Sequence, residues 1–285
     1  MRKMTISLSP GAIGVKANQH QAVEYAHFYG FEAVEPQGEY LASLDSAQIK
    51  ALAGDVKSKK LQWGTAGLPV EYRKDQATFD AGLTKLPAIC RALQTAGALR
   101  MSTWLMPASD ELTYVQNVKQ HATRLGAIAK ICKDHGMRLG LEYVGPKTLW
   151  TSKRYPFIHT MAETKDLIAA IGTGNVGFVL DTWHWQLAGE GAAELKTLTN
   201  ADIVSIDLND APSGIPADQQ IDSKREIPLA TGVLDMKTFL TTLHSLGCDA
   251  PARCEPFNAA LRALPPEQAL AKVADSMKRA MALIA

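Results

Sequence analysis

The chain has 285 residues, 46% of them hydrophobic, and 30 basic against 29 acidic side chains leave a formal net charge of +1. That balance excludes a protein that binds by neutralising phosphates, which needs a basic excess or stripe, and the apolar content excludes a disordered chain. No uninterrupted apolar run approaches the ~20 residues that span a bilayer, so neither nucleic acid nor a membrane is expected as a partner.

Short β-like runs alternate with helix-like segments from end to end. In order, the pattern predicts strand Thr5–Leu8, helix Gln19–Tyr29, strand Ala33–Pro36, helix Ser46–Lys60, strand Leu61–Ala66, helix Ala77–Ala96, strand Met101–Met106 and helix Glu111–His135. The second half predicts strand Leu139–Val144, helix Ala162–Ile171, strand Gly177–Asp181, a short helix at Ala192–Leu198, strand Ile203–Leu208, helix Met236–Leu246, strand Ala252–Pro256 and helix Pro266–Ile284. Gly30, Gly97 and Gly136 stand where the helices should stop, and Pro265-Pro266-Glu267 suits a helix start.

Eight strands in strict alternation with eight helices argue a parallel sheet with right-handed crossovers, and the length suits a (β/α)8 TIM barrel of the α/β class. The alternative is a doubly wound open sheet, but no GxGxxG follows the first strand, which weakens its dinucleotide-binding version. No Pro/Gly/Ser-rich linker divides the chain, so one domain over residues 1–285 is expected. Cys90, Cys132, Cys248 and Cys254 show no CxxC spacing and read as buried reduced thiols. The start Met1–Leu8 is basic but lacks the apolar stretch of a signal peptide, and a cytoplasmic protein is expected.

In such a barrel the functional groups stand at the C-terminal ends of the strands. Strand five delivers Glu142 to that end, strand six Asp181, strand seven Asp207 and strand eight Glu255. Crowded carboxylates repel and take up protons unless a cation offsets them. Oxygen-rich ligation with at most one imidazole suits one divalent ion, Mn2+ or Mg2+ ahead of Co2+ or Zn2+. A single strand-end acid is more often a helix cap or an ion-pair partner. Asp210 is read that way, as a loop cap; four acids on successive strands are not. Glu35, on strand two, is a second-tier candidate across the mouth.

His184, three residues after Asp181 and beside Trp183 and Trp185, can reach the same pocket. Two long loops follow strands five and seven. The first carries Lys147, Trp150, Lys153, Arg154, Tyr155 and His159, the second Lys224, Arg225 and Glu226. Long loops at a barrel mouth build or cover sites. Their cations would bind a hydroxylated or anionic substrate or stabilise enolate-like charge; the plainer reading is solvated surface charge.

On these residues the chain resembles the xylose isomerase-like barrel superfamily, whose members include ketose 3-epimerases, hydroxypyruvate isomerase, inosose dehydratase and the endonuclease IV branch. The resemblance covers essentially the whole chain. It rests on Leu141-Glu142, the Asp-x-x-His of Asp181–His184, the block ending Asn209-Asp210-Ala211, Glu255-Pro256, and Arg225–Asp235, with Ala230 where a glycine is usual. It implies a metal held by Glu142, Asp181, a strand-seven residue and Glu255, with the two glutamates as proton donor and acceptor and His184 binding substrate. Arg225, Glu35, Lys147, Asn209 and Trp183 complete the expected substrate-binding set. The superfamily often has His where Asp207 stands, and the all-carboxylate set favours Mn2+ or Mg2+ over Zn2+. The endonuclease branch needs several histidine ligands and a basic DNA-facing surface, and neither is evident.

The expected function is therefore a metal-dependent sugar isomerase or epimerase that shifts a proton next to a carbonyl through an enediolate. Its partner would be a small sugar or sugar-derived keto compound, with a homo-oligomer open. The alternative is a lyase that eliminates water from the same enolate, and the third reading is a non-catalytic sugar-binding barrel.

Overall fold

The computed structural model describes residues 2–284; Met1 and Ala285, the ends of the expected domain, lie outside the described residues. The first strand is Thr5–Leu8 and the second Ala33–Val34; the fourth to eighth are Arg100–Trp104, Arg138–Glu142, Val176–Asp181, Ile203–Asp207 and Pro251–Arg253. The second and eighth end earlier than expected. Pro36 and Pro256, the expected ends, have no N–H to give to a ladder.

The third strand differs from the expected single run. It forms two pieces, Gln62–Trp63 and Ala66–Gly67. The first piece pairs with the second strand and the second piece with the fourth. The break falls at Gly64, where a Cβ would lie 2.4 Å from Ser7 Oγ and 3.4 Å from the Val34 carbonyl, so a side chain there would crowd the first two strands. The two pieces stand at opposite ends of the strand order, so the sheet curls into a ring that meets across this break. All pairings around the ring are parallel. This is the (β/α)8 barrel that strict alternation leads one to expect.

The helices lie where the sequence places them, within a few residues. Asn18, Asp45, Asp75 and Thr160 cap N-termini through their side chains, and Gly30, Gly97 and Gly172 close C-termini in the left-handed conformation. Inside the barrel, a Cβ on Gly140 would come within 2.9 Å of Val179, so the interior packs to the backbone at this point. The four cysteines are buried and free. Among the described residues no helix is long and apolar enough to cross a membrane.

The loop after the seventh strand is tied to the barrel by Asp210. Its carboxylate accepts from the amides of Ala211, Thr231, Gly232 and Leu234 at 2.7–3.1 Å. Its own backbone exchanges two hydrogen bonds with Glu226, both 2.8 Å. Asp210 is thus the loop cap it was read to be, and it places Arg225 at the mouth. Asp210→Ala leaves several amides without their acceptor. We expect it to lower stability by about 1.5–3 kcal/mol, seen as a lower urea midpoint at unchanged slope.

Candidate active site

Parallel register lines up the ends of strands five to eight. Asp207 stands beside Asp181 on one side and Arg253 on the other, and Glu142 beside Trp104. Asp181 also caps the short helix Thr182–Leu187, accepting from the Trp183 amide at 2.8 Å. That first turn swings His184 back over the carboxylates. One oxygen from each of Glu142, Asp181, Asp207 and Glu255 lies within 4.8 Å of the others, and Glu142, Asp181 and His184 form an overlapping group. The four expected carboxylates therefore meet in one place.

Two arginines join them. Arg225, 2% exposed, donates from Nη1 to Asp181 Oδ2 at 2.8 Å and to the Glu255 carbonyl at 3.2 Å, and from Nη2 to Asp222 at 2.7 Å. Arg253 grips both oxygens of Asp207, from Nε at 2.8 Å and Nη2 at 2.9 Å, and reaches Glu255 Oε1 at 3.1 Å. The sequence reading did not single out Arg253. It closes the eighth strand two residues before Glu255, and the period-two alternation of the expected run Ala252–Pro256, which puts both on one face, is the available signal.

Two guanidinium groups against four carboxylates leave two negative charges, or three with Asp222. The protonation equilibria carry the mark of that excess. Burial, then the charges of Asp207, Glu255 and Asp181, push Glu142 well above the usual carboxylate range. Burial pushes Asp181 up to about 7 against the pull of Arg225. Burial also raises Glu255, against Arg253. Glu142 Oε1 is buried and has no hydrogen-bond partner. A buried acceptor left open beside uncompensated carboxylates is the environment a divalent cation fits, and the all-oxygen acid set is hard.

His184 is neutral. Burial and then Arg225 hold its pKa well below the usual value. The hydrogen-bond geometry agrees: the Gly145 amide faces Nδ1 at 3.3 Å and Arg225 Nη2 faces Nε2 at 3.1 Å. A neutral imidazole accepts at one of these nitrogens only, so one of the two contacts is a close approach and not a hydrogen bond, whereas an imidazolium would face a donor at both. Gly145 must be glycine for this approach, because a Cβ would lie 2.2 Å from the His184 carbonyl.

A cavity of about 560 Å³ opens over these groups, lined by Glu142, His184, Asp222, Arg225, Arg253 and Glu255 on the polar side. Trp104, Met106, Leu68, Leu149 and Phe257 form its apolar side, and Arg73 stacks on Trp104 at 4.4 Å. Of the expected substrate-binding residues, His184 and Arg225 line this cavity. The others are placed differently. Asn209 is fully buried below it, donating to both Asp181 oxygens at 3.0–3.1 Å and accepting from the Glu255 amide at 3.0 Å. Trp183 is fully buried with Ala211 and Leu234, its face toward Arg225. Lys147 points away to Asp218, its side chain 53% exposed. Glu35 takes a hydrogen bond from Ser9 and is not on the cavity wall.

The Xylose isomerase-like TIM barrel family model matches residues 23–280. An inosose isomerase of Halalkalibacterium halodurans is 22% identical over 206 residues, 71% of this chain and 69% of the relative. A xylose isomerase domain protein of Alicyclobacillus acidocaldarius subsp. acidocaldarius superposes with a TM-score of 0.86 at 27% identity, covering 98% of this chain and 99% of that one. The IOLI protein, solved with a bound zinc atom, superposes with a TM-score of 0.79 at 17% identity over 98% of both chains. With the barrel, the strand-end carboxylates and a family match over most of its length, the chain belongs to the Xylose isomerase-like TIM barrel family.

Proposed function

We propose that this protein is a divalent-metal-dependent sugar isomerase or epimerase that moves a proton on the carbon next to a carbonyl. The observation that carries the reading is the pair Glu142 and Glu255. Both line the cavity, both have raised proton affinity, and both border a carboxylate cluster with charge to spare. The inosose isomerase relatives and the zinc-bound IOLI structure support it.

Glu142, Asp181 and Glu255 would hold the ion, with Asp207 within the same reach but sharing its oxygens with Arg253. The hard donors favour Mn2+ or Mg2+ over Co2+ or Zn2+. When bound, the ion supplies a Lewis acid for a carbonyl oxygen. Glu142, whose charge the bound ion would favour and whose Oε1 is open, would take the α-proton; Glu255, steadied by Arg253, would be the second proton carrier. Proton transfer by positioned carboxylates needs such basic, poised groups on the substrate's flanks. Neutral His184 packs against Arg225 through Nε2 and does not act as the acid. Arg225 holds Asp181 and Asp222 in place, and the Trp104–Phe257 side packs the C–H faces of the sugar.

The cavity also sets the substrate's charge. Arg73 is engaged by Glu71 and the Trp104 carbonyl, Arg225 by Asp181 and Asp222, and Arg253 by Asp207. Each guanidinium lining the cavity already has a carboxylate partner, which favours an uncharged hydroxylated keto compound over a phosphorylated one. We further read the chain as one domain acting in the cytoplasm, in keeping with four free buried thiols.

Incubation of the Mn2+-loaded chain with an inosose and with common 2-keto sugars in D2O tests the reading. Exchange of the α-hydrogen for deuterium is expected with at least one of them. A product lighter by one water would mark a lyase instead, and no exchange with any of them would overturn the proposal.

A further inference from the structure

Arg253 has one nitrogen that its ion pair does not use. Nε and Nη2 are spent on Asp207 and Glu255. Nη1 has no partner among the described residues, and it is absent from the buried atoms that lack one, so it is open to solvent-accessible space. The side chain is 21% exposed, and it lines the cavity, with Glu255 between it and Arg225. The other two cavity arginines differ. Arg225 has all three nitrogens engaged, as does Arg73. Within this cavity, Arg253 is thus the arginine that still has an amine to give.

Its orientation is also fixed. A guanidinium gripped through Nε and one Nη by both oxygens of a fully buried carboxylate cannot rotate, so the remaining Nη is presented in one direction at little entropic cost. Asp207 would be an expensive residue to bury for charge alone; as the partner that aims Arg253 it has a use.

We propose that Arg253 is a substrate-binding residue: its Nη1 donates to a carbonyl or hydroxyl oxygen of the keto sugar, next to the carbon that exchanges its proton, and Asp207 holds the guanidinium for that purpose. This rests on the isomerase reading above. A cationic donor at that oxygen stabilises the negative charge that grows there as the proton leaves. It also makes the residue a determinant of specificity, since a substrate lacking that oxygen leaves a charged donor unpaired.

The test uses glycolohydroxamate, a small analogue of an enediolate, as the probe, and reads binding rather than turnover. Two variants are measured beside the native chain. Arg253→Lys keeps a positive charge beside Asp207 but has no third nitrogen, and the double variant Asp207→Asn/Arg253→Gln replaces the buried ion pair with neutral amides that can pair. Mn2+ affinity is measured first by calorimetry, then hydroxamate affinity on the Mn2+-loaded proteins. We expect each variant to bind Mn2+ within about tenfold of native and the hydroxamate about 10–100-fold more weakly, the worth of a hydrogen bond to a charged group. Native-like hydroxamate affinity in a folded, Mn2+-loaded variant overturns the assignment. So does loss of Mn2+ binding in both variants, which would make Arg253 a prop for the carboxylates. Failure of the native chain itself to bind Mn2+ would instead remove the isomerase reading, and this inference with it.

Discussion

Glu142→Gln is expected to lower turnover by about 10²–10⁴-fold and to leave the metal-free protein at least as stable as the native chain. The loss follows from the role: a positioned acid or base contributes about that much to a proton transfer, and an amide cannot carry the proton. The gain follows from the surroundings. Burial and three neighbouring carboxylates oppose the Glu142 charge, and Arg225 favours it less strongly. Glutamine has nearly the same shape, bears no charge, and offers an N–H₂ to the carboxylates that glutamate repels. The two effects therefore have opposite signs, which separates this residue from one that only supports the fold.

The same argument fixes a pH dependence. The Glu142 pKa is raised in the folded chain above its ordinary 4.5. The folded state then holds a proton that the unfolded state has released, so this residue's contribution is fully present below about 4.5 and is lost as pH rises through the folded value. Comparing the native chain with Glu142→Gln cancels the other groups to first order. The variant's stability advantage should grow from pH 4.5 toward neutrality, measured without metal by urea midpoints. An advantage that is flat or shrinks over that window would mean Glu142 is not an opposed charge.

Arg225→Leu should have the largest effect on stability. Arg225 joins the barrel wall, through Asp181 and the Glu255 carbonyl, to the seventh loop, through Asp222. It is also the counter-charge nearest to Asp181, whose side chain is fully buried. Removing one partner of a buried ion pair strands the other, at a cost of about 3–5 kcal/mol. The raised pKa of Arg225, where the Asp181, Asp222 and Glu255 charges overcome the opposing effect of burial, has the same origin. The loss should be largest without metal, and Mn2+ should restore part of it by taking over the charge beside Asp181. Arg225→Lys should fall between, since an ammonium cannot bridge Asp181, Asp222 and the Glu255 carbonyl at once. A cost below about 1 kcal/mol for Arg225→Leu would contradict this account.

The carboxylates were legible in the sequence because strand ends are. A polar residue closing an apolar β-run can only stand at the rim of the barrel, and Glu142, Asp181, Asp207 and Glu255 each close such a run. What compensates them was not legible. Asp207 and Arg253 meet through the register between two strands separated by more than forty residues, which periodicity within either strand cannot supply. Arg225 arrives from a loop whose path depends on Asp210 gathering four amides. Lys147 illustrates the reverse error: it lies in a long mouth loop, but its helical turn points it at Asp218 and out of the cavity. The split of the third strand reflects its two pieces pairing with different neighbours, the second strand and the fourth, which no local pattern records. Chain order and strand ends set the place of the site, while tertiary contacts set its charge.

That charge is the centre of the account, and one measurement bears on it most directly. The full chain, freed of metal by chelator and titrated with Mn2+, should bind one ion per chain and be stabilised by about 2.7 kcal/mol at a free concentration one hundred times the Kd. Glu142→Gln and Glu255→Gln should each weaken that binding. If the native chain binds no Mn2+, Mg2+, Co2+ or Zn2+ and its unfolding midpoint does not move, then the two arginines alone balance the cluster and the metal-dependent isomerase is the wrong reading.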